Sequence, residues 1–384
     1  MKKNKDNIFI VAGESSGDMH AASLLREIKI LNPDISFSGI GGPRMLMENV
    51  NLLYDISQVN FIGFSSVIRN IKKIKSILDN CISQVKIINP RAVILVDYPG
   101  FNLKLITGIR KFYKGKIIYY ISPQLWAWHK SRVRIIKKYV DLMIVVFPFE
   151  VDFYGKEDIK AEYAGHPLVK RIDSFLSGNK KSVSDKIIIS ILPGSRKDEI
   201  DRMLPVLVKT ADLFEKDFDC SINFICSPNF HLSYYKKFIK NNKHKIIHDK
   251  EDSELNYKTI LNSDLVITKS GTSTMECALI GTPFCVVYKT GGLNYSIGKR
   301  LVKVDHIAMV NILLGKRAVK EFLQNEMTPE NIFEEGKKIL TDKIYTARMK
   351  EDFSLLRNIL SDKDASGNAA GIIVKLINNN TSAN

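Results

Sequence analysis

Asn7-Ile8-Phe9-Ile10-Val11-Ala12, followed by Gly13-Glu14-Ser15-Ser16-Gly17-Asp18, decides the fold class. An apolar run without alternation predicts a strand buried on both faces, and the small and polar residues after it predict a turn. Leu24, Leu25 and Ile28 then fall at helical spacing. Strand, loop and helix in that order form the unit of a parallel sheet covered by helices on both sides.

The unit recurs. Apolar runs at residues 92–97, 116–121 and 141–146 predict three more strands, each separated from the next by helical stretches. Beyond His166-Pro167, residues 177–185 are polar and aperiodic and read as an interdomain region. A second series follows, with strands expected at 186–192, 222–226, 264–268 and 283–288 and a helix from about Asp198 through Phe214. The expectation is an α/β chain of two Rossmann-like domains, residues 1–170 and 171–345. Helical segments at about 346–384 are expected to pack back on the first domain. Such domains bind ligands outside the carboxyl ends of their strands, so a cleft between them is the expected active site.

The chain has 384 residues, of which 45% are hydrophobic and 26% charged, an ordinary globular composition with room for two cores. Five scattered cysteines in mostly apolar surroundings form neither a disulfide framework nor a zinc pattern and fit a reducing cytoplasm. The apolar stretch after the polar first residues is too short for a signal-peptide core or a membrane span. The net charge of +16 is concentrated: from Arg69 to Lys138 sixteen Lys/Arg face only Asp79 and Asp97. Phe64, Val67, Ile68, Ile71, Ile74 and Leu78 lie at helical spacing at the head of this stretch, with Arg69, Lys72, Lys73 and Lys75 on the other face. That pattern fits an amphipathic helix on an anionic membrane surface, or a helix burying its stripe in the core. No nucleic-acid-binding motif accompanies the charge, so nucleic acid is not an expected partner.

Thr268-Lys269-Ser270-Gly271-Thr272-Ser273-Thr274-Met275-Glu276 closes a strand with small residues directly before a helix. Amides at such a helix start bind phosphate oxygens, and Glu276, about one turn in, could accept hydrogen bonds from ribose hydroxyls. Helix capping alone explains the same pattern equally well. Pro193-Gly194-Ser195-Arg196 ends another strand, and Arg196 could hold a departing phosphate or simply pair with Asp198 or Glu199. The loop after the first strand matches neither dinucleotide nor ATP phosphate-loop spacing. Asp97, at a strand end before Tyr98-Pro99-Gly100, could deprotonate an acceptor hydroxyl or cap the next helix. Both tryptophans, Trp126 and Trp128, lie in one post-strand loop and could wall a sugar or acyl chain or pack in the core. His129 and His166 carry no metal-ligand spacing, and Asp217-Phe218-Asp219 sits before a strand and reads as solvated surface.

Taken together, Val11-Ala12-Gly13-Glu14-Ser15-Ser16-Gly17-Asp18, Gly39-Ile40-Gly41-Gly42-Pro43-Arg44-Met45, Ser122-Pro123-Gln124-Leu125-Trp126-Ala127-Trp128, Gly165-His166-Pro167-Leu168, Leu192-Pro193-Gly194-Ser195-Arg196 and Ser270-Gly271-Thr272 resemble the lipid-A-disaccharide synthase family. The resemblance runs from Asn7 to about Leu376 and includes Asn311-Ile312-Leu313-Leu314-Gly315-Lys316-Arg317. It implies a GT-B glycosyltransferase of lipopolysaccharide synthesis, acting on the inner face of the inner membrane as a cytoplasmic, peripherally associated enzyme. The implied reaction moves 2,3-diacylglucosamine from its UDP derivative to 2,3-diacylglucosamine 1-phosphate, with inversion, giving a β-1,6 disaccharide and UDP. By the resemblance Asp97 is the base and Arg196 the leaving-group stabiliser. Ser195, Arg196, Ser270, Gly271 and Thr272 hold the diphosphate, Glu276 the ribose, and Asn311 lines the cleft. Glu14, Ser15, Trp126 and Trp128 are candidates for the acyl acceptor. No metal and no cofactor are implied, and monomer and homodimer stay open. Competing readings are a UDP-N-acetylglucosamine 2-epimerase, another GT-B transferase, and a non-catalytic basic protein binding membranes or nucleic acid.

Overall fold

The computed structural model describes residues 6–59, 70–123, 125–126, 130–248, 254–291, 305–360 and 363–379. The chain divides into two compact units, Met1–Pro167 with Asp362–Asn384, and Leu168–Ser361.

The first unit is built on seven parallel strands, β1 (Asn7–Ala12), β2 (Ser36–Gly41), β3 (Asn51–Asp55), β4 (Ala92–Val96), β5 (Lys116–Tyr120), β6 (Leu142–Val145) and β7 (Ala161–Tyr163), in the order β3-β2-β1-β4-β5-β6-β7. Alternation along β1 explains why every residue from Ile8 to Ala12 is apolar and fully buried. Ile8, Ile10 and Ala12 enter one core with Leu24, Leu25 and Ile28 of α1 (Ser15–Leu31), while Phe9 and Val11 enter the other. A short helix, α2 (Pro43–Met47), follows β2. Ile77, Cys81 and Val85 of α3 (Ile71–Ile88) and Leu105, Ile106 and Ile109 of α4 (Pro99–Ile109) complete the second core. Each large apolar side chain removed from water in this way stabilises the fold by about 1.5–3 kcal/mol.

The second unit repeats the plan with β8 (Ile187–Leu192), β9 (Cys220–Ile225), β10 (Lys245–Ile247), β11 (Leu265–Lys269), β12 (Phe284–Tyr288) and β13 (Glu321–Leu323), ordered β10-β9-β8-β11-β12-β13 and parallel throughout. Its helices include α5 (Lys197–Asp217), α6 (Thr272–Ile280) and α7 (Lys343–Leu360).

Two expectations about the division are corrected. The polar stretch 177–185 belongs to the second unit. Lys181 Nζ donates to Ser263 O at 2.9 Å and to Asp264 Oδ1 at 2.7 Å, and the Ser182 amide donates to Asn262 Oδ1 at 2.8 Å. Lost periodicity marked a loop there, not a boundary. Of the segment 346–384, only residues from Asp362 onward join the first unit. α7 stays in the second, where Phe353 stacks on Phe284 of β12 at 5.4 Å and Arg357 Nη2 donates to Leu279 O at 2.8 Å. The last helix, α8 (Ala365–Asn378), packs Ala369, Ala370, Ile373 and Ile377 into the α1 side of the first core.

Asp18 in the first turn of α1 is 2% exposed and fully used. Its Oδ1 accepts from the Gly42 amide at 2.7 Å and the Met45 amide at 3.0 Å, and its Oδ2 accepts from the Arg44 amide at 3.1 Å. One carboxylate therefore satisfies the opening amides of α2 and ties that helix to α1. Asp18→Ala leaves these buried donors without an acceptor and should lower unfolding free energy by about 2–4 kcal/mol. The expected reading is a lower urea midpoint with an unchanged denaturant slope.

Candidate active site

The order of each sheet locates its ligand crevice before any side chain is considered. In the first unit the connections change direction between β1 and β4, and in the second between β8 and β11. Loops leaving the carboxyl ends of those four strands line the switch points. They carry Gly13-Glu14-Ser15, Asp97-Tyr98, residues 193–196 and Ser270-Gly271 respectively.

In the first unit Asp97 and Tyr98 both adopt left-handed backbone, with φ of 43° and 47°. Two consecutive non-glycine residues in that region cost of order 1–3 kcal/mol each, so something must hold them. Asn102 Nδ2 donates to the Asp97 carbonyl at 2.7 Å, and the Tyr119 hydroxyl donates to the same oxygen at 2.5 Å. The Tyr98 hydroxyl donates to Val59 O at 2.6 Å, and its ring lies over Gly13, where a Cβ would come within 2.2 Å of it. Only glycine fits there, and the loop after β1 is thereby seated on the turn that carries Asp97. The helix after Asp97 takes Tyr98 as its N-cap without a side-chain cap, so Asp97 does not serve as that cap. Burial, and next the charge of Glu14, push the Asp97 carboxyl up to about 6, while the Tyr98 amide opposes the rise. A base with such a pKa is matched to work near neutral pH. Glu14 precedes the first turn of α1 and Ser15 is exposed within it.

Trp126 is half-buried, with its ring edge-on to Phe149 at 5.1 Å and its Nε1 donating to Glu150 Oε1 at 3.3 Å. Its packing role is thus realised. Glu150 is 1% exposed, also accepts from the Phe147 amide at 3.1 Å, and is pushed up to about 7 by burial. His166 is buried and held neutral, its pKa lowered to about 3 by burial and by His20. Trp128, Gln124 and His129 lie outside the described residues, as do Phe64, Ile68 and Arg69. Of the basic helix, Ile71, Lys72, Lys73 and Lys75 are exposed at the start of α3. Its later stripe is buried in the core. Among the described residues no helix is long and apolar enough to cross a membrane.

In the second unit Gly194 has φ of 107°, a conformation glycine adopts without strain, and the turn it makes sets Arg196 as the N-cap residue of α5. Arg196 is largely exposed, with Nη1 3.4 Å from Glu199 Oε1, so the local ion pair exists. Ser195 precedes it in the same loop. Gly271 caps α6 without a side-chain cap, and the Thr274 amide in the first turn donates back to Gly271 O at 3.1 Å. Ser270 departs from the expected role, because its amide donates to Val287 O at 3.2 Å and its hydroxyl to Ile307 O at 2.9 Å. Pairing with β12 consumes that donor. Glu276 Oε1 accepts from the Tyr257 hydroxyl at 3.1 Å, and Arg171 lies over the Tyr257 ring at 5.1 Å. Burial raises the Glu276 pKa, opposed by Tyr257 and Arg171.

Asn311 is corrected as a side chain lining the cleft. It is 0% exposed; its Nδ2 donates to Val319 O and Glu321 Oε1, both at 2.8 Å, and its Oδ1 accepts from the Val319 amide at 2.9 Å. Glu321 in turn accepts from the amides of Ile307 and Ala308 at 3.0 Å each. Asn311 therefore holds the segment on which the Ser270 hydroxyl rests.

Residues 8–372 match the lipid-A-disaccharide synthetase family. Lipid-A-disaccharide synthase of Geobacter metallireducens is 34% identical over 386 residues, covering 96% of this chain and 97% of that protein. That of Nitrosococcus oceani is 35% identical over 368 residues, covering 94% of each. The chain belongs to the lipid-A-disaccharide synthetase family. Family members are glycosyltransferases, and the two parallel sheets make this one GT-B. Two solved structures agree on the fold. UDP-GlcNAc 2-epimerase from Neisseria meningitidis bound to UDP-GlcNAc has a TM-score of 0.65 at 14% identity over 97% of this chain and 99% of its own. Acinetobacter baumannii MurG has a TM-score of 0.58 at 15% identity over the same shares.

Sequence reasoning about this synthetase family member missed Tyr98, Asn102 and Tyr119, which fix the Asp97 turn, and Lys269, which ends β11 beneath the glycine loops. A lysine closing a strand just before Ser-Gly-Thr was a signal for the last. Asp212, Glu215 and His244 lie close enough to hold a cation. Asp212 and Glu215 sit toward the far end of α5, Asp212 roughly 24 Å along the helix from Arg196 at 1.5 Å per residue, and His244 precedes β10.

Asp97 accepts a proton only when ionised, so turnover should fall as pH drops through about 6. Glu14→Gln removes a neighbouring negative charge and should move that acid limb to lower pH. Asp97→Asn should cost about 10²–10⁴-fold in turnover. Initial rates from pH 5 to 8 for the three proteins check all three expectations.

Proposed function

We propose that the chain transfers 2,3-diacylglucosamine from UDP-2,3-diacylglucosamine to the 6-hydroxyl of 2,3-diacylglucosamine 1-phosphate, at residues carried on the two switch points. The observation that carries the assignment of the base is the half-buried Asp97 carboxyl, raised to about 6 beside Glu14 on a turn fixed by Asn102 and Tyr119. As the acceptor oxygen bonds to the anomeric carbon, its proton passes to Asp97 and the bond to the UDP oxygen breaks. An α-linked donor then gives a β-linked product by one inversion.

The departing diphosphate gains negative charge, and preorganised donors aimed at that charge lower the barrier. Arg196, Ser195 and the amides of Gly271 and Thr272 are the groups proposed for it, with Glu276 accepting from ribose hydroxyls. Arg196 suits the task because its exposed guanidinium can turn from Glu199 to a phosphate. No metal or cofactor is assigned a part in the reaction. Both substrates carry acyl chains, and the exposed lysines at the start of α3 are proposed to meet an anionic membrane surface at its cytoplasmic face.

Mass spectrometry of reactions with both acylated substrates should show a disaccharide 1-phosphate and one UDP per product. UDP release with donor alone would instead favour an acceptor-independent reaction such as epimerisation with hydrolysis. Replacing Lys72, Lys73 and Lys75 with glutamine should reduce co-sedimentation with anionic liposomes while sparing turnover on detergent-dispersed substrate. At about 1 kcal/mol for each charge near such a surface, the triple change predicts a loss of partition well above tenfold.

A further inference from the structure

Lys269 closes β11 at the switch point of the second unit, and its side chain passes under both glycine loops. A Cβ on Gly194 would come within 2.9 Å of Lys269 Cδ. One on Gly271 would sit 3.6 Å from Lys269 Cε and 3.7 Å from its Nζ. The lysine stem is thus the floor of the crevice, and its ammonium lies by the residue that caps α6. The Lys269 side chain is 17% exposed, so the ammonium is shielded from bulk water without being sealed off.

Its counter-ion is Glu199, from the first turn of α5, whose side chain is only 8% exposed. Glu199 Oε2 lies 3.1 Å from Lys269 Nζ, and Glu199 Oε1 lies 3.4 Å from Arg196 Nη1. A single carboxylate therefore faces two cations, leaving one positive charge in excess where an anion would enter. Glu199 Oε2 is buried and accepts no hydrogen bond of proper geometry. The ammonium lies 3.1 Å from it as an ion-pair partner. A lysine serving only as a structural partner would be expected to satisfy that buried oxygen, because an unmet acceptor there is costly.

We infer that Lys269 is a diphosphate-binding residue of the donor site, donating from the crevice floor to the phosphates that Arg196 and the α6 amides meet from above. Glu199 is the positioning residue that keeps both cations in place while the site is empty. This inference rests on the proposed UDP-sugar reading and adds to it a cation that approaches from within the sheet. An ammonium shielded from bulk water stabilises charge on a leaving group more effectively than one in open solvent.

The test compares UDP with uridine, which shares the base and ribose but lacks phosphate. Lys269→Met alone strands the Glu199 carboxylate and risks unfolding, so the paired variant Lys269→Met/Glu199→Gln, which removes both charges together, is measured beside it. Calorimetric titration of the paired variant should show UDP affinity reduced at least tenfold, with uridine affinity, obtained by competition against UDP, unchanged. UDP and uridine weakened alike would mean a general distortion of the site, and unchanged UDP affinity would mean a purely structural ion pair; either result overturns the inference. Failure of the wild-type protein to bind UDP would overturn the donor reading itself, which separates the two failures.

Discussion

Burial of the central strands on both faces is the constraint on which the rest of the molecule depends. Because β1, β4, β8 and β11 are enclosed, their backbone groups are met by neighbouring strands, and polar chemistry can begin only where each strand ends. The change of direction between β1 and β4, and between β8 and β11, then leaves those ends uncovered by a crossover. Carboxylates accumulate at the first opening and cations with helix-start amides at the second. Glu14 and Asp97 thus stand at the opening of one unit, and Arg196 and Lys269 at the opening of the other.

The two openings are stiffened differently. At the first, two left-handed residues are locked by side-chain donors on their carbonyl and by a tyrosine ring against a glycine. At the second, the loops rest on Lys269 and on the Asn311–Glu321 hydrogen bonds that anchor Ile307 and Ala308. Rigid supports of this kind keep reacting groups in place without reorganisation when charge moves.

The long buried strands were legible because a run such as Ile8-Phe9-Ile10-Val11-Ala12 has few other uses. The short strands β2, β3, β7, β10 and β13 were not, since three to six residues with glycine, serine or charge among them carry little pattern. The paired domains and most site loops followed from where apolar runs stop. Roles decided by a partner distant in sequence were not legible. Asn311 looked like a cleft residue until Val319 and Glu321 were seen to use up its amide, and Ser270 looked like a phosphate donor until β12 claimed its N–H. Asp18, which in the sequence was only the last residue of the loop after β1, proved to be the cap of another helix. The boundary failed for a related reason, because polar residues that bind Asn262, Ser263 and Asp264 read the same as a free linker.

The return of α8 to the first unit has a consequence during synthesis. Ala369, Ala370, Ile373 and Ile377 cover the same core that α1 helps to build, yet they leave the ribosome some two hundred residues after β7. At about 5–20 residues per second, the first unit waits roughly 10–40 s with one apolar face of its sheet incompletely covered. The second unit has its own strands and helices in one continuous stretch and can close sooner. The order of assembly therefore inverts the order of the sequence: the unit that begins the chain is the last to be completed.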